Sequence, residues 1–179
     1  YVGQSPSSST LRSSTLISVD FSTLPLPATF EIHNATLDLS AVSGNGEVYV
    51  TVSQMITSWD ESSTWAHPGN NNTSWVGVGA YHSADSQVPE TDGFWMNASS
   101  EYTLNVTSLL QHAILRGASS LDIILQAEEV DGTVDGVYYI ASSENSVQDD
   151  RPTLSFTYET TNPWSPSTPT GLVPADGAT

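Results

Sequence analysis

Apolar residues in this chain recur at every second position, in short runs broken by glycine, proline, asparagine and serine. Leu11, Thr15, Ile17, Val19 and Phe21 share one parity; Ala35, Leu37, Leu39 and Ala41 form a second run, and Val48, Val50 and Val52 a third. A period of two puts alternate side chains on opposite faces of a strand, so each run reads as a β-strand with one buried and one polar face. Further strands are expected over residues 102–106, 121–126, 137–142 and 152–158. In the last of these, Leu154, Phe156 and Tyr158 alternate with Thr153, Ser155 and Thr157. The SGNG at 43–46, between the second and third runs, predicts a hairpin turn. Many short strands with turn residues between them predict an all-β, jelly-roll-like antiparallel β-sandwich.

One helix is expected, in NVTSLLQHAILRGAS. Thr107 or Ser108 would cap it, Leu109, Leu110, Ala113 and Ile114 would form its apolar stripe, and Arg116 and Gly117 would stop it. Residues 66–100 show no sustained periodicity but carry Trp75, Tyr81, Phe94 and Trp95. After Tyr158 the composition changes. The organisation expected is a β-sandwich over 1–158, a Pro/Ser/Thr-rich linker over 159–170, and over 171–179 a stub of a fibronectin III or immunoglobulin-like domain.

Charge narrows the partners. The chain of 179 residues has 20 Asp+Glu against 3 Lys+Arg, a net charge of −17. The three basic residues are Arg12, Arg116 and Arg151; there is no lysine. Nucleic acids and anionic membranes are bound through clustered Lys and Arg, so neither is an expected partner. Cysteine is absent, which excludes disulfides and thiolate metal sites. No run approaches the ~20 apolar residues of a membrane span. Sequons at Asn34, Asn71, Asn72, Asn97 and Asn105, in a Ser/Thr-rich chain, point to a secreted or cell-surface glycoprotein.

Four segments, in order, resemble DNRLRE-type domains. They are STLISVDFSTLPLPATFEIHNATLDL; SWDESSTWAHP, with Trp59, Glu61, Thr64, Trp65 and Pro68; YTLNVTSLL, with Asn105 where the family usually has aspartate; and SSENSVQDDRPTLSFTY, with Ser143, Glu144, Arg151 and Pro152. The resemblance covers about residues 10–158. It implies a jelly-roll module of a large secreted protein. Some members accompany polysaccharide lyases and bind carbohydrate, alginate among them; others repeat in cell-surface proteins. It therefore implies a non-catalytic module.

The chemistry-bearing residues agree with that expectation. Asp60 and Glu61 are adjacent, so on a strand they would point to opposite faces and could not flank one glycosidic bond. The four histidines lack metal-type spacing, and neither G-x-S-x-G nor H-E-x-x-H occurs. No catalytic residues are assigned. Trp75, Tyr81 and Trp95 are the candidate carbohydrate-binding residues, because aromatic faces stack on pyranose rings; the competing reading has them anchoring a long loop. Calcium is the candidate cofactor. DGTVDG offers Asp131 and Asp135 at alternate oxygen positions, although Ser142 stands where a calcium loop has its bidentate glutamate. The predicted function is surface architecture or adhesion, with neighbouring surface subunits or a polysaccharide as partner. The alternative is a carbohydrate-binding module. Within the family signature, Trp59 and Trp65 are expected to pack into the core, with Glu61 tying the loop backbone down.

Overall fold

In the computed structural model the fold is described for residues 2–4, 12–24, 26, 30–69, 73–87, 93–128 and 135–160. The expected linker and stub fall almost wholly outside the described residues. The strands are β1 (Val2–Gln4), β2 (Arg12–Asp20), β3 (Glu31–Met55), β4 (Ser86–Gln87), β5 (Phe94–Met96), β6 (Glu101–Asn105), β7 (Ser120–Glu128), β8 (Asp135–Ile140) and β9 (Thr153–Glu159). One α-helix, α1 (Thr107–Leu115), follows β6. The all-β, sandwich-like antiparallel architecture with one short helix is the one that alternation predicts.

The hairpin at 43–46 is not formed. Ala35–Ala41 and Val48–Val52 belong to a single strand, β3, of 25 residues. At ~3.3 Å per residue such a strand would run roughly 80 Å if straight, too long for one layer. It bends instead. The register against β8 shifts between Ala41 and Ser43, and Gly46 takes a left-handed φ of 76°. Ser43, Gly44, Asn45 and Gly46 then pair with Tyr139, Tyr138, Val137 and Gly136, so ladder hydrogen bonds replace the turn. Tyr138 fixes the bend. Its ring lies on Gly44, where a Cβ would come 2.6 Å from the Val137 carbonyl oxygen, and its hydroxyl donates to the Gly46 carbonyl at 2.7 Å.

The bend lets β3 serve two layers. Its first part lies between β6 and β9, pairing Leu37 with both Leu104 and Leu154. Its last part pairs with β5 and β4 on one side and β7 on the other, and β7 pairs with β2. Leu37, Leu39, Val48, Val50, Ile123 and Leu125 meet in the core between the layers. Burying each such side chain contributes about 1.5–3 kcal/mol. The helix closes one end with Leu109, Leu110 and Ala113. Its start is capped by neither Thr107 nor Ser108. The Asn105 side-chain Oδ1 accepts the Thr107 N–H at 3.0 Å, while the Thr107 hydroxyl oxygen accepts the Ala35 N–H at 2.8 Å. Gly117, at φ 70°, ends the helix as expected, with Ala118 N–H donating back to Ala113 at 3.0 Å. Among the described residues, no helix is long and apolar enough to cross a membrane.

Candidate binding surface on the outer sheet face

The segment from Ile56 to Gln87, as far as it is described, covers the outward face of the β2–β7–β3 layer. Ile123 and Leu125 point inward, so Ile124 and Gln126 point outward, and all four are buried. Outside, Ile124 and Met55 pack with Trp75 and Ala80, and Leu16 and Trp59 complete this smaller apolar cluster.

Polar contacts pin the cap. Asp85, 1% exposed, accepts hydrogen bonds from Gly77 N–H at 2.8 Å, Val76 N–H at 3.1 Å and the Thr57 hydroxyl at 3.1 Å. Its own carbonyl accepts the N–H groups of Ile56 and Thr57. A tight loop forms where Asp60 N–H donates to Pro68 O at 3.0 Å and Thr64 N–H to His67 O at 2.8 Å. The carboxylate that ties this loop is Asp60, which accepts the Ser62 N–H at 2.8 Å, and not Glu61, which is exposed. A side chain at Asp60 is the right length to close an Asx-type ring with its own turn; Glu61 is one methylene longer.

The predicted aromatic set divides. Trp75 is only 6% exposed and donates its indole N–H to Thr64 O at 2.9 Å, which matches the competing reading of a loop anchor. Tyr81 is half-buried, donates its hydroxyl to Ala127 O at 3.2 Å, and sets its ring 5.9 Å from that of Trp65. Trp95 is 47% exposed and stands across from Tyr49, ring centroids 5.3 Å apart. Trp65 was expected in the core but is 41% exposed. It lies over Gly79, whose φ of 73° suits glycine and where a Cβ would come 2.6 Å from the indole. The Gly79 N–H donates to Trp65 O at 2.7 Å, which holds the ring in place. Trp59 does pack as expected, against the outer cluster.

Two aromatic pairs therefore stand on the outward side of one sheet. Tyr49 points outward because its neighbours Val48 and Val50 point into the core, and Trp95 shares its face as cross-strand partner. Alternation alone placed Tyr49 on that face. Nothing in the sequence singled out Asp85 or the exposure of Trp65.

Beside the Trp59–Trp65 loop lies a cleft of 920 Å³, whose border includes Asp20, Asp60, Glu61 and Asp122 and Ser18, Ser63, Ser142 and Ser143. Hydrogen bonds from the Ser22 hydroxyl and N–H hold the Asp20 carboxyl below its ordinary pKa, so it stays ionised. Trp65, the exposed indole that borders this cleft, can stack on a sugar ring while the carboxylates and hydroxyls accept hydrogen bonds from the sugar's hydroxyls.

Of the other predicted positions, Asn34, Asn97 and Asn105 are exposed, while Asn71 and Asn72 lie outside the described residues. Asp131 and the Asp135 side chain also lie outside them. Among the described residues, no group of three or more His, Asp or Glu is placed to hold a metal ion. Arg151 donates its Nε–H to Asn145 O at 2.9 Å. No protein-family model and no curated protein matches the chain.

Proposed function

We propose that the chain is a non-catalytic module of a larger secreted or cell-surface protein, acting in adhesion or surface architecture by holding a polysaccharide against its outward sheet face. The observation that carries the reading is the pair of exposed indoles, Trp65 and Trp95, each beside a tyrosine on the same side of the sheet. The partner ring limits each indole's freedom, so less entropy is lost when a sugar stacks on it. The resemblance to DNRLRE-type domains and the exposed sequons support the same reading.

The charge of −17 selects the ligand class. A neutral polysaccharide meets no long-range repulsion, whereas an anionic one needs a divalent cation between the two carboxylate sets. The test is affinity electrophoresis against soluble neutral glucans, mannans and xylans and against alginate, each with and without calcium. Retardation by a neutral polysaccharide, abolished in the Trp65→Ala/Trp95→Ala variant, supports the reading. Retardation by alginate in calcium alone replaces the neutral ligand with a bridged acidic one. No retardation by any polysaccharide overturns the glycan reading.

A further inference from the structure

The two aromatic pairs are linked by contacts along the outward side of the sheet. Trp65 borders the 920 Å³ cleft; Tyr81, its ring 5.9 Å from that of Trp65, does not, so the pair leads away from the cleft. The Tyr81 hydroxyl donates to the carbonyl of Ala127, and the next residue of β7, Glu128, stands opposite Tyr49 of β3. Tyr49 in turn stands opposite Trp95 of β5. Because Val48 and Val50 point into the core, Tyr49 and its cross-strand partners Glu128 and Trp95 share the outward face. Glu128 is one outward position beyond Gln126, whose side-chain amide donates to Gly79 O at 3.2 Å beneath the cap. A carboxylate therefore lies between two tyrosine–tryptophan pairs.

The strand register sets the distance between these pairs. Trp65 lies over Gly79, and Gly79 is tied to Gln126 on β7. Trp95 is two strands away, on β5, level with Glu128. Strands lie ~4.8 Å apart and rise ~3.4 Å per residue, which sets the two indoles roughly 12 Å apart across the sheet. One pyranose ring cannot touch both; a chain of linked rings can. The indoles are 41% and 47% exposed, so each is open to a ring laid on it from outside.

We propose that the two aromatic pairs and Glu128 form one continuous track, with the cleft at its Trp65 end, which takes an extended internal run of a neutral polysaccharide across the strands toward β5. Trp65 and Trp95 are the platforms for two rings of the same chain, and Glu128 accepts hydrogen bonds from the hydroxyls of a ring between them. The Thr51 hydroxyl, donating to Glu128 Oε1 at 3.4 Å, holds that carboxylate on the outward side. Glu128 is thus the specificity-determining residue. It favours a ring that turns hydroxyls toward the sheet and disfavours one that brings a carboxylate of its own, since like charges repel. A chain stacked on both platforms gives up its translational and rotational freedom once, so the second platform adds affinity at little further cost. The inference rests on the glycan reading and adds to it the length of the ligand and the residue that orients it.

The test is calorimetric titration of cello-, manno- and xylo-oligosaccharides, from disaccharide to octasaccharide, into wild type, Trp65→Ala, Trp95→Ala and Glu128→Gln. One track predicts affinity that climbs by at least roughly 30-fold from disaccharide to hexasaccharide, with one hexasaccharide bound per chain and weaker binding of it in each tryptophan variant. Glu128→Gln keeps the size of the side chain and is expected to weaken the hexasaccharide roughly fivefold, because a carboxylate accepts more strongly than an amide. The chain-length series needs no substitution, so it stands whatever a variant does to folding. Affinity that levels off at the disaccharide, with two bound per chain and one site of unchanged affinity left in each tryptophan variant, overturns the track and leaves the glycan reading standing. Hexasaccharide binding untouched by Glu128→Gln overturns the role of Glu128. Failure of every oligosaccharide, and of every polysaccharide in electrophoresis, overturns both.

Discussion

Leu125 and Asp85 are both buried, at 0% and 1% exposure, on opposite sides of the same sheet layer. Leu125 is held by the apolar side chains of the inner core, which touch it from every side and specify no direction. Asp85 is held by three donors from Thr57, Val76 and Gly77, each of which specifies a position. The inner face is thus a core that any well-shaped apolar set fills. The outer cap is a loop shaped by a few directed bonds, resting on a small cluster around Trp75. Burial stabilises the first; the second depends on leaving no donor unpaired.

This difference sets how each region breaks. Leu125→Ala leaves a cavity between the layers and should lower global stability by about 2–5 kcal/mol. Chemical denaturation should show it as one transition moved to lower denaturant. Asp85→Ala leaves three donors without their acceptor and should cost about 2–4 kcal/mol, but locally. Limited proteolysis should then cut within 56–87 while the far-ultraviolet spectrum of the strands is kept. Global unfolding in both variants would show that the cap and the sandwich are one cooperative unit.

Tyr138 sharpens the comparison, since its hydroxyl is a directed bond inside the apolar region. Tyr138→Phe should cost about 1–2 kcal/mol, because the Gly46 carbonyl at the bend of β3 loses its donor. Burial, with smaller contributions from Tyr102 and Glu47, raises the Tyr138 pKa. The unfolded chain therefore loses this proton first. Stability from this group is complete below about pH 10 and falls as pH rises toward the higher folded value. Alkaline denaturation should lose that slope in Tyr138→Phe.

Asp20 gives the smallest effect, at the exposed end of β2, and with the opposite sign. Its pKa is lowered by Ser22, so its contribution is present above the ordinary carboxylate range of about 4 and is lost as pH falls through the lower folded value. Ser22→Ala should flatten this part of the acid titration of stability and leave the alkaline part alone.

What was legible in the sequence follows the same division. Alternation marked β2, β9 and the buried parts of β3 to within a few residues, because burial on one face imposes a period of two; β7, buried on both faces, showed instead as a short apolar run. SGNG misled because glycine and asparagine suit a bulged bend as well as a turn; the choice was made by Tyr138, 92 residues from its acceptor Gly46. The cap has no period, since directed hydrogen bonds need the right atom and not a repeated residue type. Trp75 and Trp65 could not be told apart for that reason. Both are tryptophans in a polar loop, and the side each presents depends on Gly79, Thr64 and the outer face of β7.

The central functional claim is that the exposed indoles make the contact and the buried one does not. It is tested most directly by calorimetric titration of a bound polysaccharide into wild type, Trp65→Ala, Trp95→Ala and Trp75→Phe, with Tm measured on the same samples. The account predicts that Trp65→Ala and Trp95→Ala each weaken binding by about 10- to 30-fold with little change in Tm. Trp75→Phe should lower Tm, through loss of the bond to Thr64, and bind as wild type does. Affinity that falls with Trp75→Phe and is untouched by loss of Trp65 or Trp95 would contradict it.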